Sequence, residues 1–432
     1  MASSGLRVAT ASPRRSGSAG VSDPLRPLFF HWNGDLYGAS RSLLRLTSRL
    51  ARDGHRPVVV LGQPGPLAAL LAGAGVEVRR TGWMAALERS DLKSPLAVVR
   101  FLGRALASIP VYLRILAQVR PGVVHTNASI VITSGLAARL MGRPHVWHMR
   151  ETYGDFPRLW PVFQRFVAIL STRVVCISEC VAAQFSPAIR ERKVDVIHNG
   201  IPQAELRVPD ENEVERLRRH WGLLGHSTVG VVGRINLGRK GQHLLVEAAA
   251  RLAAQHPSAR FLIIGSAYPG KEHEESHLRA LIKERGLTDR FVLTGDMGDL
   301  PLIYGLLDVL VVPSPVPEPF GNTAPEAMAY GIPVVGTDLG GTAEIVTHGQ
   351  TGFLFPPDDA EALAACIDVL LGDPGLRRRL GDAGRGAFRD RFEFERCYRG
   401  MIDVLTRARG RRPSNPDASR VDRVMPSTEA RP

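Results

Sequence analysis

Between Leu310 and Gly336 the chain reads LVVPSPVPEPFGNTAPEAMAYGIPVVG, which suggests an apolar strand, a loop, a short helix and a second apolar strand. Two carboxylates, Glu318 and Glu326, stand eight positions apart in this segment. The spacing puts Glu318 on the Gly-containing loop and Glu326 a turn into the helix. Both can face one polyhydroxylated ligand, because carboxylates accept hydrogen bonds from sugar hydroxyls. The loop also follows an apolar strand, and open α/β sheets bind their ligands at that end of the strands.

This segment resembles the retaining glycosyltransferases of family 4, which have the GT-B fold. The family pattern reads PS-x-x-E-x-F-G-x-x-x-x-E-A-M-A-x-G-x-P-V-V, and the chain matches nearly all of it, with one extra residue between Ser314 and Glu318. The similarity continues through residues 337–357 and upstream to about residue 30. The resemblance implies an α/β protein of two Rossmann-like, doubly wound parallel-sheet domains that face a central cleft.

Length and composition agree with two domains. A chain of 432 residues is long for one domain, and 44% hydrophobic residues suffice for full cores. The formal net charge is +13, and only five of the 55 basic residues are Lys. This excess of Arg reflects either a GC-rich genome or attraction to anionic lipid or phosphorylated substrates. We do not expect nucleic-acid binding, because the sequence has no basic stripe interleaved with aromatic residues.

The cysteines and the N-terminus bear on location. The four Cys residues have neither the spacing of a disulfide framework nor that of a metal site, which fits a reducing cytoplasm. The first residues lack the apolar core of a signal peptide, and no run of about twenty uninterrupted apolar residues occurs, so we expect no membrane span. We therefore expect a cytoplasmic protein, either free or held peripherally on the inner face of the cell membrane.

Apolar strands alternate with helical segments at the spacing of a doubly wound sheet, and the pattern restarts once. The last helix resembles the family's terminal helix, which crosses back onto the first domain. The predicted divisions in chain order are a disordered tail (1–26), an N-terminal acceptor domain (27–202), a polar connector (203–225), a C-terminal nucleotide-sugar donor domain (226–392), the crossover helix (393–409) and a second disordered tail (410–432).

A cationic turn from Gly233 to Gly241 reads GRINLGRKG and resembles the family's G-R-x-x-x-x-K-G segment. In the family the Arg and the Lys grip the donor diphosphate, so the resemblance assigns these roles to Arg234 and Lys240 and puts Gly233 beside the phosphates. Fixed cations can stabilise the charge that develops on a leaving nucleoside diphosphate. The matched segments contain no Asp-x-Asp motif, so we expect no metal and no other cofactor beyond the donor.

The resemblance also divides the two carboxylates. Glu326 would bind the ribose hydroxyls of the nucleotide, and Glu318 would contact the transferred sugar. A glycine in the intervening loop permits close approach, whereas the phenylalanine ring is expected to pack in the core. The backbone N–H groups that would meet sugar hydroxyls or phosphate belong to Phe320, Gly321, Asn322 and Thr323.

Two N-terminal segments depart from the family pattern. The first, the loop YGASR, matches the family's G-G-x-x-R at Gly38 and Arg41 but has Tyr37 in place of the first glycine. This loop either approaches the diphosphate or shapes the acceptor pocket. For Arg41, a ligand contact and a structural role are the two alternatives.

The second departure concerns a strand-end histidine that contacts the donor sugar in the family. Its position falls at Arg150 here, and His148 lies two residues earlier. Residues two apart on a strand share a face, so both side chains can point into the cleft. We expect one of them to act near the reacting carbon, and the alternative for His148 is a buried structural histidine.

The segment from Val98 to Leu116 is apolar, carries three arginines and contains Pro110. One interpretation is an interfacial basic helix that reaches lipid-linked acceptors. The other is a pair of helices, separated near Pro110, that pack on the sheet of the N-terminal domain.

These patterns predict a retaining glycosyltransferase that moves a hexosyl or related sugar from a nucleotide donor, UDP- or GDP-linked, to a glycan, lipid-linked or small-molecule acceptor. The matched N-terminal segments offer no carboxylate base, which suits the front-face displacement proposed for the family. One alternative is a GT-B sugar-nucleotide epimerase or phosphorylase, against which the Glu318/Glu326 segment argues. The other is a non-catalytic nucleotide-sugar sensor, which a transfer assay distinguishes from an enzyme.

Overall fold

The computed structural model describes residues 23–87, 91, 94–154 and 156–410. Most of the two predicted tails therefore lies outside the described residues. The described chain forms two β-sheets, one of seven strands and one of six, each packed between helices. The prediction of an α/β protein with two doubly wound parallel sheets is confirmed.

The first sheet is parallel throughout. Its strands are β1 Pro27–His31, β2 Val58–Leu61, β3 Glu77–Arg80, β4 Val123–Asn127, β5 His145–Met149, β6 Arg173–Cys176 and β7 Val194–Val196. Their spatial order is β3-β2-β1-β4-β5-β6-β7. The central strands are buried on both faces, which is why they read as continuous apolar runs. The strand order reverses between β1 and β4, and such a switch point is where doubly wound sheets bind ligands.

The second sheet repeats this arrangement with six parallel strands. Its strands are β8 Thr228–Val232, β9 Arg260–Ile264, β10 Phe291–Gly295, β11 Val309–Val312, β12 Val334–Thr337 and β13 Gly352–Phe355. Their spatial order is β10-β9-β8-β11-β12-β13, so the switch point lies between β8 and β11. The cationic turn follows β8 and the two-carboxylate loop follows β11, so both leave the sheet at its switch point.

Helices cover the first sheet on both faces. In the helix that directly follows β1, Gly38–Arg52, the apolar side chains of Leu43, Leu46 and Leu50 are buried in the core, whereas Arg52 is exposed. The helices of the N-terminal domain are α1 Gly38–Arg52, α2 Leu67–Gly73, α3 Pro95–Val119, α4 Thr133–Leu140, α5 Trp160–Leu170, α6 Glu179–Ala182 and α7 Pro187–Lys193.

Side-chain caps set the start of many of the later helices, because an Asp oxygen accepts the unsatisfied N–H groups of the first turn. Asp210, Asp299, Asp359 and Asp373 each cap one helix in this way. The remaining helices are α8 Glu211–His220, α9 Leu237–Lys240, α10 Gln242–Leu252, α11 Glu272–Glu284, α12 Leu300–Gly305, α13 Thr323–Ala329, α14 Gly340–Ile345, α15 Ala360–Gly372, α16 Pro374–Arg391 and α17 Phe394–Ala408.

The apolar segment around Pro110 is one continuous helix, α3, and the predicted division into two helices is wrong. Its C-terminal half packs on the sheet through Tyr112, Leu116 and Val119. Among the described residues, α3 is the one helix long and apolar enough to cross a membrane by length and composition, and 22% of its most apolar window is buried. The sequence search for an uninterrupted apolar run missed it because arginines punctuate the helix.

Two segments join the domains. The stretch predicted as a polar connector contains the helix α8 and a short 3-10 turn at Gln203–Glu205, so it is structured over much of its length. The terminal helix α17 returns to the N-terminal domain, where Phe394, Met401 and Leu405 join the same apolar core as α1. The last helix therefore ties the end of the chain to the first sheet.

Candidate functional site

Loops that follow strands of the two sheets meet across the cleft. Asn199 Nδ2 of the N-terminal domain donates to Asn322 Oδ1 at 3.1 Å, and Ser178 Oγ donates to the carbonyl of Pro319 at 2.5 Å. Ser178 also caps α6, as its position in the sequence predicts. A Cβ at Gly38 would lie 2.8 Å from Asn322 Nδ2, so any larger residue there would displace the Asn322 side chain. The predicted site residues therefore come together from both domains.

The centre of the site is an ion pair between the cationic turn and the two-carboxylate loop. Lys240 Nζ, at the end of α9, lies 2.6 Å from Glu318 Oε1. Ser314 Oγ donates to the same oxygen at 2.6 Å. Burial by itself would raise the pKa of Glu318, but the charge and hydrogen bond of Lys240, with the hydrogen bond from Ser314, hold it below its usual value. Glu318 is therefore an ionised acceptor fixed beside a cation.

Glu326 has a different environment, one turn into α13 as predicted. It accepts a hydrogen bond of 2.7 Å from the hydroxyl of Tyr304. Burial raises its pKa, and the Tyr304 hydrogen bond and the charges of Arg45 and Arg41 offset this only in part. Two carboxylates eight residues apart thus differ in electrostatics, since Glu318 has a cation within hydrogen-bond distance and Glu326 has a neutral phenol.

Arg234, the second predicted cation, lies between two aromatic rings. Its guanidinium carbon is 4.6 Å from the ring centroid of Tyr37 and 4.9 Å from that of Tyr268. Its Nη1 also lies 3.7 Å from Asp296. Because Tyr37 belongs to the N-terminal domain, the residue that replaces the family's first glycine reaches across the cleft to the Arg predicted to bind the diphosphate. Cation–π contacts of this kind restrict where the guanidinium can lie.

The backbone between the carboxylates is shaped by a positive φ of 83° at Gly321, which favours glycine. Asn322 precedes α13, and the N–H of Glu326 bonds back to the carbonyl of Asn322. Thr323 is the first residue of the helix. The ring of Phe320 is buried against His198 and Phe392, with centroid distances of 5.6 and 6.0 Å, and its predicted role in the core is confirmed.

His148 and Arg150 lie together under the N-terminal side of the cleft, with His148 Nδ1 and Arg150 Nη2 3.4 Å apart. His148 is only 3% exposed, and its Nε2 has no hydrogen-bond partner among the described residues. Burial, followed by the charges of Arg150 and His125, holds the pKa of His148 well below its usual value. This histidine is therefore neutral near pH 7.

Arg150 is a hydrogen-bonding hub. Its guanidinium donates to Asn127 Oδ1 at 3.2 Å, to Asn199 Oδ1 at 2.9 Å and to Ser42 Oγ at 3.1 Å. Burial lowers its pKa to about 10, which leaves it charged at neutral pH. Since Asn199 continues to Asn322, the chain Arg150–Asn199–Asn322 connects the first sheet to the loop of the donor domain.

Arg41 braces its own loop, because its Nε donates to the carbonyl of Leu36 at 2.9 Å. Its charge nevertheless acts on the carboxylate of Glu326, which places it at the edge of the cleft. Gly233, which follows β8, has a φ of 138°. A Cβ added at this glycine would lie 4.0 Å from Lys240 Cε, so the two residues are neighbours. The structure thus brings each of these residues to the rim of the predicted site.

Four residues of the site escaped the sequence analysis as functional candidates: Ser314, Tyr304, Tyr268 and Asn127. Each acts as the partner of a predicted residue, and only Ser314 lies inside the quoted motif. The sequence offered no signal for the others. Within the part of the chain that the structure describes, no group of three or more His, Cys, Asp or Glu side chains is arranged to hold a metal ion.

Two family models match the chain in succession. Residues 37–205 match the model described as Glycosyltransferase Family 4, and residues 214–387 match Glycosyl transferases group 1. The first match covers β2 to β7 of the N-terminal sheet, and the second runs from within α8 to within α16.

Curated relatives agree with this assignment. The chain is 30% identical over 389 residues to the 2-deoxystreptamine N-acetyl-D-glucosaminyltransferase of Streptomyces fradiae, which covers 82% of this chain and 89% of that protein. It is 33% identical over 233 residues to the 2-deoxystreptamine glucosyltransferase of Streptomyces kanamyceticus, which covers 53% of this chain and 57% of that protein. The chain spans between half and two thirds of the length of several other relatives.

Solved structures match both domains at once. Alr3699/HepE of Anabaena, in complex with UDP and glucose, has a TM-score of 0.74 at 22% identity and covers 88% of this chain and 99% of its own. A glycosyltransferase from Rickettsia africae has a TM-score of 0.76 at 20% identity and covers 90% of this chain and 100% of its own. At these identities the likeness shows the fold, and with the family models and the Streptomyces fradiae relative it leads to one conclusion: the chain belongs to the family 4, group 1 glycosyltransferases and has the GT-B fold.

Proposed function

We propose that this protein is a retaining glycosyltransferase that moves a hexosyl or related sugar from a UDP- or GDP-linked donor to an acceptor held mainly by the N-terminal domain. The observation that carries the proposal is the Lys240–Glu318 ion pair at the switch point of the second sheet. It puts a cation for phosphate and a carboxylate for sugar hydroxyls side by side, as a nucleotide sugar requires.

The donor diphosphate would bind between Arg234 and Lys240. As the glycosidic bond breaks, negative charge accumulates on the leaving nucleoside diphosphate, and cations already in place stabilise it without reorganisation. The rings of Tyr37 and Tyr268 support this role of Arg234 by holding its guanidinium from two sides. Because these two side chains supply the positive charge, we expect transfer to continue in the presence of a chelator.

The sugar and the nucleoside would be read by separate carboxylates. Glu318 is ionised and lies beside Lys240, the cation proposed to bind the diphosphate. Its carboxylate can therefore accept hydrogen bonds from the hydroxyls of the transferred sugar. Glu326 is buried beside Tyr304, at a distance from that cation, and would accept the ribose hydroxyls. The Phe320–Thr323 backbone would donate N–H groups between the two.

On the acceptor side, the buried pair of His148 and Arg150 would border the reacting carbon. The neutral imidazole has an Nε2 without a partner in the described part of the chain, and this atom could bond a sugar hydroxyl. In the front-face displacement we favour, the departing phosphate itself takes the proton of the incoming hydroxyl, and the sugar keeps its anomeric configuration. Arg150 would act by holding the loops of the two domains in register.

Similar proteins support the choice of substrates. Alr3699/HepE is described in complex with UDP-glucose, which favours a UDP-linked hexose as the donor. Two Streptomyces relatives are named for transfer to 2-deoxystreptamine, whereas others are named for capsular polysaccharide or lipopolysaccharide core synthesis. An aminocyclitol is therefore a small-molecule acceptor to test beside glycan and lipid-linked acceptors.

We also propose a peripheral contact with anionic membrane on the cytoplasmic side, made by α3. Its N-terminal half exposes Leu96, Val99, Leu102 and Leu106 to between 50% and 67%. Arg100 and Arg104 lie on the same half of the helix, and the chain carries a net charge of +13. Apolar side chains beside arginines suit the boundary between lipid tails and acidic headgroups.

The test of the enzymatic proposal is a panel of UDP- and GDP-sugars. A donor that binds only the folded protein raises its melting temperature, which identifies the base and the sugar. The best donor is then incubated with candidate acceptors, and the anomeric configuration of the product is read by NMR. A product with inverted configuration contradicts the retaining mechanism, isomerisation of the free donor favours an epimerase, and binding without turnover favours a sensor.

A further inference from the structure

The N-terminal domain has a second concave site, on the edge of its sheet opposite the cleft. Its cavity volume is about 530 Å³. It lies where the chain enters β5, β6 and β7, whereas the donor cleft lies at the strand ends where the chain leaves the sheet. A strand of five residues spans roughly 16 Å, so the two sites are separated by the length of the strands.

Four cations line this cavity: Arg139, Arg143, Lys193 and Arg409. Of the lining residues that the structure describes, none is an Asp or a Glu. Arg409 has one acidic neighbour, Asp23, whose carboxylate lies 3.0 Å from its guanidinium. Arg139 and Arg143 have no ion pair within the described part of the chain. The cavity therefore carries a surplus of positive charge.

The carboxyl ends of α4, α5 and α17 point at the same place, and helix carbonyls attract cations. Lys193 is the cation bound at these helix ends, because its Nζ donates to the carbonyls of Ala168 and Ser171, the latter at 2.6 Å. The arginines of the cavity make no such bond to these helix ends among the described residues. The helix ends therefore account for Lys193 and for Arg139, which lies in the last turn of α4, and leave Arg143 without an explanation.

Three polar atoms in the lining also lack a partner. Ser171 is 3% exposed, and its Oγ, like the buried Nε atoms of Arg143 and Arg409, makes no hydrogen bond to the residues that the structure describes. Buried donors without acceptors are costly and uncommon in folded proteins. Burial, together with the charges of Arg192, Arg139 and Arg173, lowers the pKa of Lys193, so the cations also repel one another. A bound anion would remove both costs.

We propose that this cavity is a second ligand site that binds a phosphate group. A phosphate offers several acceptor oxygens to two guanidinium groups and the Ser171 hydroxyl at once, and its charge of nearly two offsets a cluster of cations better than a carboxylate does. The group can come from a soluble phosphate or from a lipid headgroup, and the exposed side chain of Ile169 at the rim is compatible with either. This site is independent of the donor cleft and of the proposed transfer reaction.

The experiment is a calorimetric titration of inorganic phosphate into the whole chain at low ionic strength, where such contacts are least screened. The double variant Arg139→Gln/Arg143→Gln is compared with the parent and with Arg52→Gln/Arg378→Gln, which removes the same charge from exposed positions elsewhere. We expect the first pair to weaken phosphate binding by about tenfold or more, as loss of charged hydrogen bonds does, and the second pair to leave it unchanged. Equal affinity in the parent and in Arg139→Gln/Arg143→Gln overturns the proposal.

Two additions keep this result specific. Ser171→Ala removes an unpartnered hydroxyl at no expected cost in folding, so a drop in phosphate affinity supports the site and an unchanged affinity counts against it. Lys240→Met reports on phosphate in the donor cleft, and loss of affinity in that variant alone overturns the second site. Co-sedimentation with phosphatidic acid vesicles then identifies the source. A lipid headgroup site predicts less pelleting of Arg139→Gln/Arg143→Gln than of Arg52→Gln/Arg378→Gln, whereas a soluble phosphate site predicts equal pelleting of the two.

Discussion

Lys240 Nζ lies 2.6 Å from Glu318 Oε1, so the cation expected to hold the donor diphosphate is already paired with the carboxylate expected to contact the transferred sugar. Without a donor, each charge compensates the other in a site where burial would otherwise raise the pKa of Glu318. A bound diphosphate would share Lys240 with this carboxylate. In the proposed enzyme the pair would couple recognition of the sugar to recognition of the phosphates.

The first prediction concerns the cation. Lys240→Met should reduce kcat for transfer by roughly 100-fold or more, as removal of a group that stabilises transition-state charge typically does. Arg239→Gln is the matched control, because Arg239 is the exposed neighbour on the same short helix, and we expect its turnover to stay near that of the parent. Steady-state kinetics at saturating donor decide the matter, and unchanged turnover in Lys240→Met refutes the assigned role.

The second prediction divides the two carboxylates. Glu326→Ala should weaken binding of the bare nucleoside diphosphate by about tenfold, because a hydrogen bond to a charged group contributes roughly 1.5–3 kcal/mol. Glu318→Ala should keep that affinity, since it removes a contact offered only by the intact donor and releases Lys240, yet it should lose turnover. Calorimetry with the diphosphate and with the donor separates the two. An equal loss in both variants contradicts the division of roles.

The third prediction uses the raised pKa of Glu326. Its folded-state pKa lies above the usual value of 4.5, so its ionised form destabilises the folded state. This loss of folding free energy is fully present above the raised pKa, and it disappears as the pH falls to the pKa of Glu326 in the unfolded chain. Glu326→Gln should therefore have a higher melting temperature than the parent at pH 8, and the difference in melting temperature should shrink towards pH 4.5. Glu361→Gln, at an exposed position, serves as the control. A melting-temperature difference between Glu326→Gln and the parent that does not change with pH refutes the argument.

The fourth prediction concerns Tyr37. Its ring is 50% exposed and lies over Arg234 from the other domain. Cation–π contacts at exposed sites contribute about 0.5–1 kcal/mol, so Tyr37→Ala should weaken nucleoside diphosphate binding by roughly two- to fivefold. Tyr37→Phe retains the ring and should bind like the parent. Tighter binding by Tyr37→Ala would instead mean that the ring obstructs the diphosphate.

The fifth prediction concerns the membrane. Leu102→Gln/Leu106→Gln should reduce co-sedimentation with anionic vesicles several-fold, because both side chains are at least half exposed on α3 and would lose their contact with lipid. Val369→Gln, at an exposed apolar position on α15, should have no effect. Binding should also weaken as salt is raised. If the parent does not pellet with vesicles at low salt, the proposed membrane contact is contradicted. The excess of Arg is then explained by a GC-rich genome.

The strand, short helix and second strand predicted between Leu310 and Gly336 agree with β11, α13 and β12. Two strands were missed for a physical reason. β3, Glu77–Arg80, is an edge strand with a polar sequence, so it shows no apolar pattern. β13, Gly352–Phe355, is short and lies at the other sheet's edge, and its pairing with β12 is visible only once the sheet is assembled.

The continuity of α3 through Pro110 was also beyond the sequence. A proline inside a helix removes one backbone hydrogen bond and normally argues for a break. Here the carbonyl that loses its partner belongs to Leu106, which is 67% exposed, so water can satisfy it. Tyr112 and Leu116 bury completely on the sheet beyond the proline, and this tertiary packing outweighs the local cost.

The sequence by itself determined the class of the protein, the strands that end at each switch point and the local placement of Glu318 and Glu326 on one loop and helix. These features depend on periodicity and on turn residues, which act over a few neighbouring positions. Only the tertiary structure decided the partners. Lys240 reaches Glu318 over 78 positions, Tyr304 reaches Glu326 over 22, and Tyr37 reaches Arg234 from the other domain. Such contacts arise from the order of strands in two sheets and the approach of two domains, which no local pattern encodes.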